Sequence, residues 1–300
     1  VDLGGTKNLE GRDLIDSEFE FNLYNSDENG TTGTQIETVK NVGANFSFTT
    51  LTFEDGKEGT YYYLIKEVLN GSGGVTYDYS EYLVEVIITD DGVGKLHAAV
   101  NYWMLDETEE WVEVETVVFN NDYVAADVDI DLGGIKNLEG RDLIDGEFEF
   151  ELYEIIIEVS AARSLLDTTS SDLIETVRNV GTDFNFSPIT FVDGEEGYYY
   201  YLIKEVVGTL DGVTYDLTEY MVEVVITDNG EGQLEAEVSY MVFDEMQEEW
   251  TTTETVVFSN RYINLELEVE KMVEESSFSE AGDELHYSFE VTNTGNLAFI

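Results

Sequence analysis

The chain contains no cysteine, which excludes disulfides, thiolate metal sites and a cysteine nucleophile. It has two histidines, His97 and His286, too few for a histidine-rich metal centre and poorly suited to a hydrolase triad. Basic residues are scarce: 13 Lys and Arg stand against 66 Asp and Glu, a net charge of −53. Such a chain repels phosphate backbones and anionic lipid, so neither nucleic acid nor a membrane surface is an expected partner. No stretch approaches the roughly 18 to 20 uninterrupted apolar residues of a membrane helix, and no charged-then-apolar leader opens the sequence. The first residue, Val1, and the last, Ile300, both fall within segments that read as strands. That is the expectation for an excerpt of a longer polypeptide whose leader, anchor or sorting signal lies outside it.

High negative charge often marks disorder, but 42% of the residues are hydrophobic and 13% aromatic, enough to build cores. A length of 300 residues corresponds to about two or three domains. Internal repetition divides them. The segment GGTKNLEGRDLIDSEFEFNLY (Gly4 to Tyr24) recurs as GGIKNLEGRDLIDGEFEFELY (Gly133 to Tyr153). YYYLIKEV recurs at Tyr61 and Tyr199, GVTYD at Gly74 and Gly212, and ETVVFNNDY (Glu115 to Tyr123) matches ETVVFSNRY (Glu254 to Tyr262). The offset grows from 129 at Lys7 and Lys136 to 139 at Asn121 and Asn260, so the second copy carries about ten extra residues, mostly within Glu154 to Asp172.

Within each copy, FEFNLY, YLVEVIITDDG and LEAEVSYMVF alternate apolar and polar residues and are rich in Val, Ile, Tyr and Phe, the period of half-buried antiparallel strands. Asp91-Gly92 and Asn229-Gly230 supply turn signals. The expected fold is all-β: tandem antiparallel β-sandwiches of about seven to nine strands each. The expected domains are residues 1–126, 127–262 and an incomplete third sandwich at 263–300, whose own residues are too few to cover an apolar face. A helical turn is expected over Glu158 to Leu166 inside the insertion.

The chemistry lies in three residues per copy. In a strand, Leu3, Gly5, Lys7 and Leu9 share a face, as do Leu132, Gly134, Lys136 and Leu138. Glu67 follows Tyr61, Tyr63 and Ile65, and Glu205 follows Tyr199, Tyr201 and Ile203. Asn121 stands between Phe119 and Tyr123, and Asn260 between Phe258 and Tyr262. A lysine, a glutamate and an asparagine thus align with residues expected to be buried, twice. A buried lysine tends to lose its proton and become a nucleophile, while a buried glutamate tends to keep its own. A glutamate between the other two would polarise the asparagine carbonyl and pass a proton to departing ammonia. The product is a Lys7–Asn121 or Lys136–Asn260 isopeptide bond, favoured by the proximity that packing imposes. Asn120 is an alternative to Asn121, but Ser259 occupies its place in the second copy.

At these residues the sequence resembles the pilin isopeptide-linkage domains of Gram-positive surface proteins, the family containing major pilins of streptococcal type. The matching motifs are Thr6-Lys7-Asn8-Leu9, Tyr61 to Glu67 and Phe119-Asn120-Asn121, then Ile135 to Leu138, Tyr199 to Glu205 and Phe258-Ser259-Asn260. The resemblance spans about residues 1 to 262. It implies a structural stalk module of an extracellular, cell-surface adhesin, pilus or filament, with single-turnover bond formation in place of enzymatic turnover and with no cofactor. Neighbouring domains of the same chain and other filament subunits are the implied partners. No pilin-type lysine motif or sorting pentapeptide is present, which leaves sortase polymerisation without support. The tail's VTNTGN resembles a β-sandwich repeat of large envelope proteins, and Lys271 there reads as a further first-strand lysine without a visible partner.

Other readings remain open at this level. Lys7 and Lys136 would also serve as edge-strand gatekeepers whose ammonium reaches solvent; Lys66 and Lys204 read that way. The tyrosine runs suit core packing, or, with the Glu154 to Asp172 insertion, a ligand-binding surface for a host or surface glycan or a host protein. Asp127, Asp129 and Asp131 would offer calcium its carboxylate oxygens, or form the polar face of a linking strand. A glycosidase pair among so many carboxylates is a further alternative. Donation of a missing strand to the tail by a second subunit would make the chain a filament-forming unit.

Overall fold

The computed structural model describes residues 1–106, 108–156, 170–244, 249–275, 277, 280–282 and 284–298. Among them there is no helix, and none long and apolar enough to cross a membrane. The helical turn expected at Glu158 to Leu166 falls outside the described residues. Contacts divide the chain into two compact units, Val1–Ala126 with Asp228–Leu234, and Asp127–Thr227 with Glu235–Ile300.

The first unit is built from β1 (Gly4–Glu10), β2 (Glu20–Ser26), β3 (Gln35–Lys40), β4 (Asn45–Ser47), β5 (Gly59–Glu67), β6 (Val75–Thr76), β7 (Glu81–Asp90), β8 (Leu96–Leu105), β9 (Trp111–Val114) and β10 (Val118–Tyr123). Two sheets form, one in the order β4-β1-β10-β6 and the other in the order β3-β2-β5-β7-β8-β9. The alternation read from sequence is visible in burial: along β7, Tyr82, Val84, Val86 and Ile88 are buried while Glu85 and Ile87 are half-exposed. Phe21 of β2 stacks on Phe46 of β4 with ring centroids 3.8 Å apart, and Phe119 of β10 lies edge-on to Tyr82. Gly5 makes the first of these contacts possible. A Cβ there would lie 2.8 Å from the Phe46 ring and 2.7 Å from the Val117 carbonyl oxygen, distances only glycine escapes.

The second unit repeats this plan with β12 (Gly133–Glu139), β13 (Glu149–Ile156), β14 (Ser170–Arg178), β15 (Asp183–Asn185), β17 (Gly197–Glu205), β18 (Val213–Thr214), β19 (Glu219–Asp228), β20 (Leu234–Asp244), β21 (Glu249–Thr253) and β22 (Val257–Tyr262). Its sheets run β15-β12-β22-β18 and β14-β13-β17-β19-β20-β21. The short strands β11 (Val128–Ile130) and β16 (Ile189–Phe191) pair separately. Phe150 stacks on Phe184, again at 3.8 Å.

One feature departs from the antiparallel expectation. The first and last strands of each copy pair in parallel, β1 with β10 and β12 with β22. Alternation tells which face a residue occupies and not which strand lies beside it. The tail forms a ribbon of β23 (Leu267–Val273) and β24 (Tyr287–Asn293), whose strands pair with each other and whose residues are all exposed.

Candidate functional site

Parallel pairing fixes the geometry of the site. In β1 and β10, Lys7 is opposite Phe119 and Asn121 is opposite Leu9. The lysine and the asparagine therefore sit two positions apart along the same face, a diagonal that a four-methylene side chain spans. The second copy has the same register, Lys136 opposite Phe258 and Leu138 opposite Asn260. Glu67 reaches them from the other sheet, at the end of β5 where it pairs with Phe21; Glu205 ends β17 opposite Phe150.

All six residues are buried. The side chains of Lys7, Glu67, Lys136 and Glu205 have 0% of their surface exposed. Lys7 Nζ lies 2.9 Å from Glu67 Oε1 and 3.2 Å from Oε2, and Asn121 Nδ2 donates to Glu67 Oε1 at 3.0 Å. In the second copy Lys136 Nζ donates to Glu205 Oε2 at 2.8 Å, and Asn260 Nδ2 to Glu205 Oε1 at 2.6 Å. The Phe19 ring lies 4.7 Å from Lys7 Nζ and the Phe148 ring 4.6 Å from Lys136 Nζ, walls that hold water away.

Desolvation dominates the electrostatics. Burial pulls Lys7 and Lys136 below the ordinary lysine value, against the opposing pull of Glu67 and Glu205. Burial likewise pushes both glutamates up, although hydrogen bonds from lysine and asparagine oppose it. Both shifts favour a neutral amine beside a protonated carboxyl, because separating charge in a dry pocket is costly.

The asparagine amide has a definite orientation. Asn121 Oδ1 accepts from the backbone N–H of Asp78 at 2.7 Å, and Asn260 Oδ1 from that of Asp216 at 2.7 Å. A backbone N–H only donates, so the oxygen must face it and the nitrogen must face the glutamate. This differs from the expectation that the glutamate polarises the carbonyl. Glu67 and Glu205 face the leaving nitrogen, and a backbone amide faces the oxygen.

Asn120 points away from the triad on the exposed side of β10, bonded by Asn8 Nδ2 at 2.8 Å. Lys66 and Lys204, neighbours of the glutamates, lie on the opposite face against Glu81 and Glu151. Asp127, Asp129 and Asp131 are exposed and do not converge; Thr190 Oγ1 donates to Asp129 at 2.5 Å. Among the described residues the carboxylates that do converge are Asp55, Glu58 and Asp90, all exposed. Lys271 rests over the Tyr287 ring at 3.9 Å. Sequence reasoning missed Asp78 and Asp216, although GVTYD, which ends on them, was visible as a repeat. It also missed Asn41 and Asn179, fully buried, which tie the start of each first hairpin by accepting from the N–H of Phe19 and Phe148.

The family described as the Spy0128-like isopeptide containing domain matches residues 3–124 and again 132–263. The chain belongs to this family. Both matches enclose one complete Lys–Glu–Asn triad, so each Spy0128-like domain carries its own. No match is found among curated proteins. Among solved structures, the major pilin from Streptococcus pyogenes is 19% identical, covering 87% of this chain and 98% of the pilin, with a TM-score of 0.31. The T-13 major pilin of the same species is 18% identical over 87% of this chain and 97% of that one, with a TM-score of 0.33. The pilus adhesin SpaC from Lactobacillus rhamnosus GG is 14% identical, covering 87% of this chain and 31% of SpaC, with a TM-score of 0.22. Likeness at this level is remote, and membership rests on the two family matches.

Proposed function

We propose that each domain closes an intramolecular isopeptide bond, Lys7 to Asn121 and Lys136 to Asn260, and that the chain serves as a covalently locked shaft segment of a cell-surface pilus. The observation that carries this reading is the sealed triad, present twice in the same register. A pocket whose lysine and glutamate have no exposed surface admits no outside substrate, so the amide its amine meets is its own.

The chemistry balances. The neutral amine of Lys7 attacks Cγ of Asn121, forming the new C–N bond. The Cγ–Nδ2 bond breaks, and the nitrogen leaves as ammonia. Glu67 takes the proton that Nζ sheds and gives one to Nδ2, which it faces at 3.0 Å. It ends the cycle in its starting protonation state. Burial supplies the neutral amine, and packing supplies an effective concentration that makes an inert amide react. Glu205 has the same role between Lys136 and Asn260. Once formed, the bond cannot re-enter the reaction, so each domain turns over once.

A bond between adjacent parallel strands at the two ends of a domain suits a load-bearing element, because tension applied at the ends passes through the bond and leaves the sheet hydrogen bonds unloaded. Other subunits of a pilus and neighbouring domains of the same chain are the partners this reading assigns. A proteolytic map of the folded chain tests the chemistry: branched peptides joining Lys7 to Asn121 and Lys136 to Asn260 are expected, and linear peptides alone would contradict it. Antibodies against the chain test the location. They should decorate extracellular fibres on the cells that make it, and labelling confined to the cell interior would overturn the shaft assignment.

A further inference from the structure

The repeated GVTYD segment has no part in the three-residue account, yet it delivers Asp78 and Asp216 to the reacting amides. Asp78 lies between β6 and β7, and its backbone N–H holds Asn121 Oδ1 at 2.7 Å. Its carboxylate is held on both sides. Oδ2 accepts from the backbone N–H of Asn120 at 2.8 Å, and Oδ1 from that of Ser80, also at 2.8 Å. One bond ties the loop to the residue just before the reacting asparagine. The other fixes the loop's own turn. Asp216 repeats each contact: its N–H to Asn260 Oδ1 at 2.7 Å, Oδ2 from Ser259 N–H at 2.7 Å, and Oδ1 from Thr218 N–H at 3.0 Å and Thr218 Oγ1 at 2.6 Å.

We infer that Asp78 and Asp216 are positioning residues whose side chains clamp the 76–80 and 214–218 loops so that their own backbone N–H groups act as oxyanion donors for isopeptide formation. Two consequences follow from the geometry. When Nζ adds to Cγ the carbonyl becomes tetrahedral and its negative charge gathers on Oδ1, the atom to which the N–H already points. A donor preset in a dry site strengthens as that charge develops. The same N–H selects the amide rotamer. With Oδ1 engaged, Nδ2 must face the glutamate, so the leaving group is aimed at its proton source before the reaction begins. The flipped amide would set Nδ2 against the Asp78 N–H, two donors face to face, and forfeit that bond. A side chain required only for the fold would need none of this alignment with the reacting atoms. Asp78 carries one further effect, its charge adding to the burial that keeps Glu67 protonated.

This inference rests on the isopeptide reading, and the test separates the two. The full chain is made in a pulse of labelled synthesis and quenched in denaturant at intervals, and the loss of about 17 Da per bond is assigned to each domain by peptide mapping. In Asp78→Ala the Lys7–Asn121 bond should form at least about ten-fold more slowly than in wild type. The Lys136–Asn260 bond in the same molecules should keep its rate and serve as the internal standard. Hydrogen exchange at the β1, β5 and β10 amides should remain slow, showing that the domain is folded while the bond is delayed. If Asp78→Ala does not fold, the α-hydroxy analogue of aspartate placed at 78 keeps the carboxylate clamp and replaces only the N–H by oxygen. It should slow the bond by about 100-fold. Bond formation at the wild-type rate in either folded variant overturns the inference and leaves the isopeptide reading standing. Absence of any mass loss in the wild-type chain brings down the isopeptide reading, and the inference with it.

Discussion

Lys7 and Asn121 meet on one oxygen. Glu67 Oε1 lies 2.9 Å from the lysine nitrogen and 3.0 Å from the asparagine amide nitrogen, so a proton leaving one has a direct carrier to the other. The expected consequences of that arrangement can each be measured.

Replacing the carrier without emptying its space isolates its role. Glu67→Gln retains the shape and the hydrogen-bonding capacity and removes the ability to relay a proton, a loss worth about 100-fold to 10,000-fold in rate. The Lys7–Asn121 bond should be absent from freshly made protein while Lys136–Asn260 forms, giving a mass deficit of about 17 Da. Full cross-linking of both domains in this variant would show that the glutamate is not the carrier.

The bonds should dominate thermal stability. Each closes a loop of more than one hundred residues, and by analogy with disulfide loop entropy that contributes about 5 kcal/mol. Lys136→Met fills the space with an apolar chain of similar length, so the change reports the bond more than a cavity. The second domain should melt about 20 °C earlier, with the first domain's transition unmoved. An unchanged calorimetric profile would mean that no such bond constrains the second domain.

Without its bond, the buried lysine should be a burden that alkali relieves. Burial lowers the pKa of Lys7 below 10.5, and Asn121→Ala leaves that amine unreacted in its buried place. Between that lowered value and 10.5 the unfolded chain binds a proton that the folded chain does not, so stability rises with pH across this window and the penalty is complete below it. The further change Lys7→Met removes the titrating group. The stability advantage of Asn121→Ala/Lys7→Met over Asn121→Ala, read from urea midpoints, should shrink as pH rises towards 10.5. An advantage that grows with pH would reverse the assigned sign.

Much of this site was legible in the sequence because a strand's period of two exposes misplaced polarity. Lys7 keeps step with Leu3 and Leu9, Glu67 with Tyr63 and Ile65, and Asn121 with Phe119 and Tyr123, and a second copy repeats all three. The all-β fold followed from that same alternation, and the two tandem copies from the repetition. The parallel pairing of β1 with β10 did not, because periodicity carries no information about which strand is the neighbour. Asp78 was hidden for a different reason. Its contribution is a backbone N–H, which every residue but proline has, and only the loop's path marks this one out. The orientation of the Asn121 amide was hidden with it. Side-chain chemistry alone therefore pairs the carbonyl with Glu67, whereas in the structure it accepts from the Asp78 N–H.

Intact mass of the folded, purified chain tests the central claim most directly. Two isopeptide bonds release two molecules of ammonia, so the measured mass should fall short of the sequence mass by about 34 Da and remain short after complete denaturation. A chain at its full sequence mass would contradict the account.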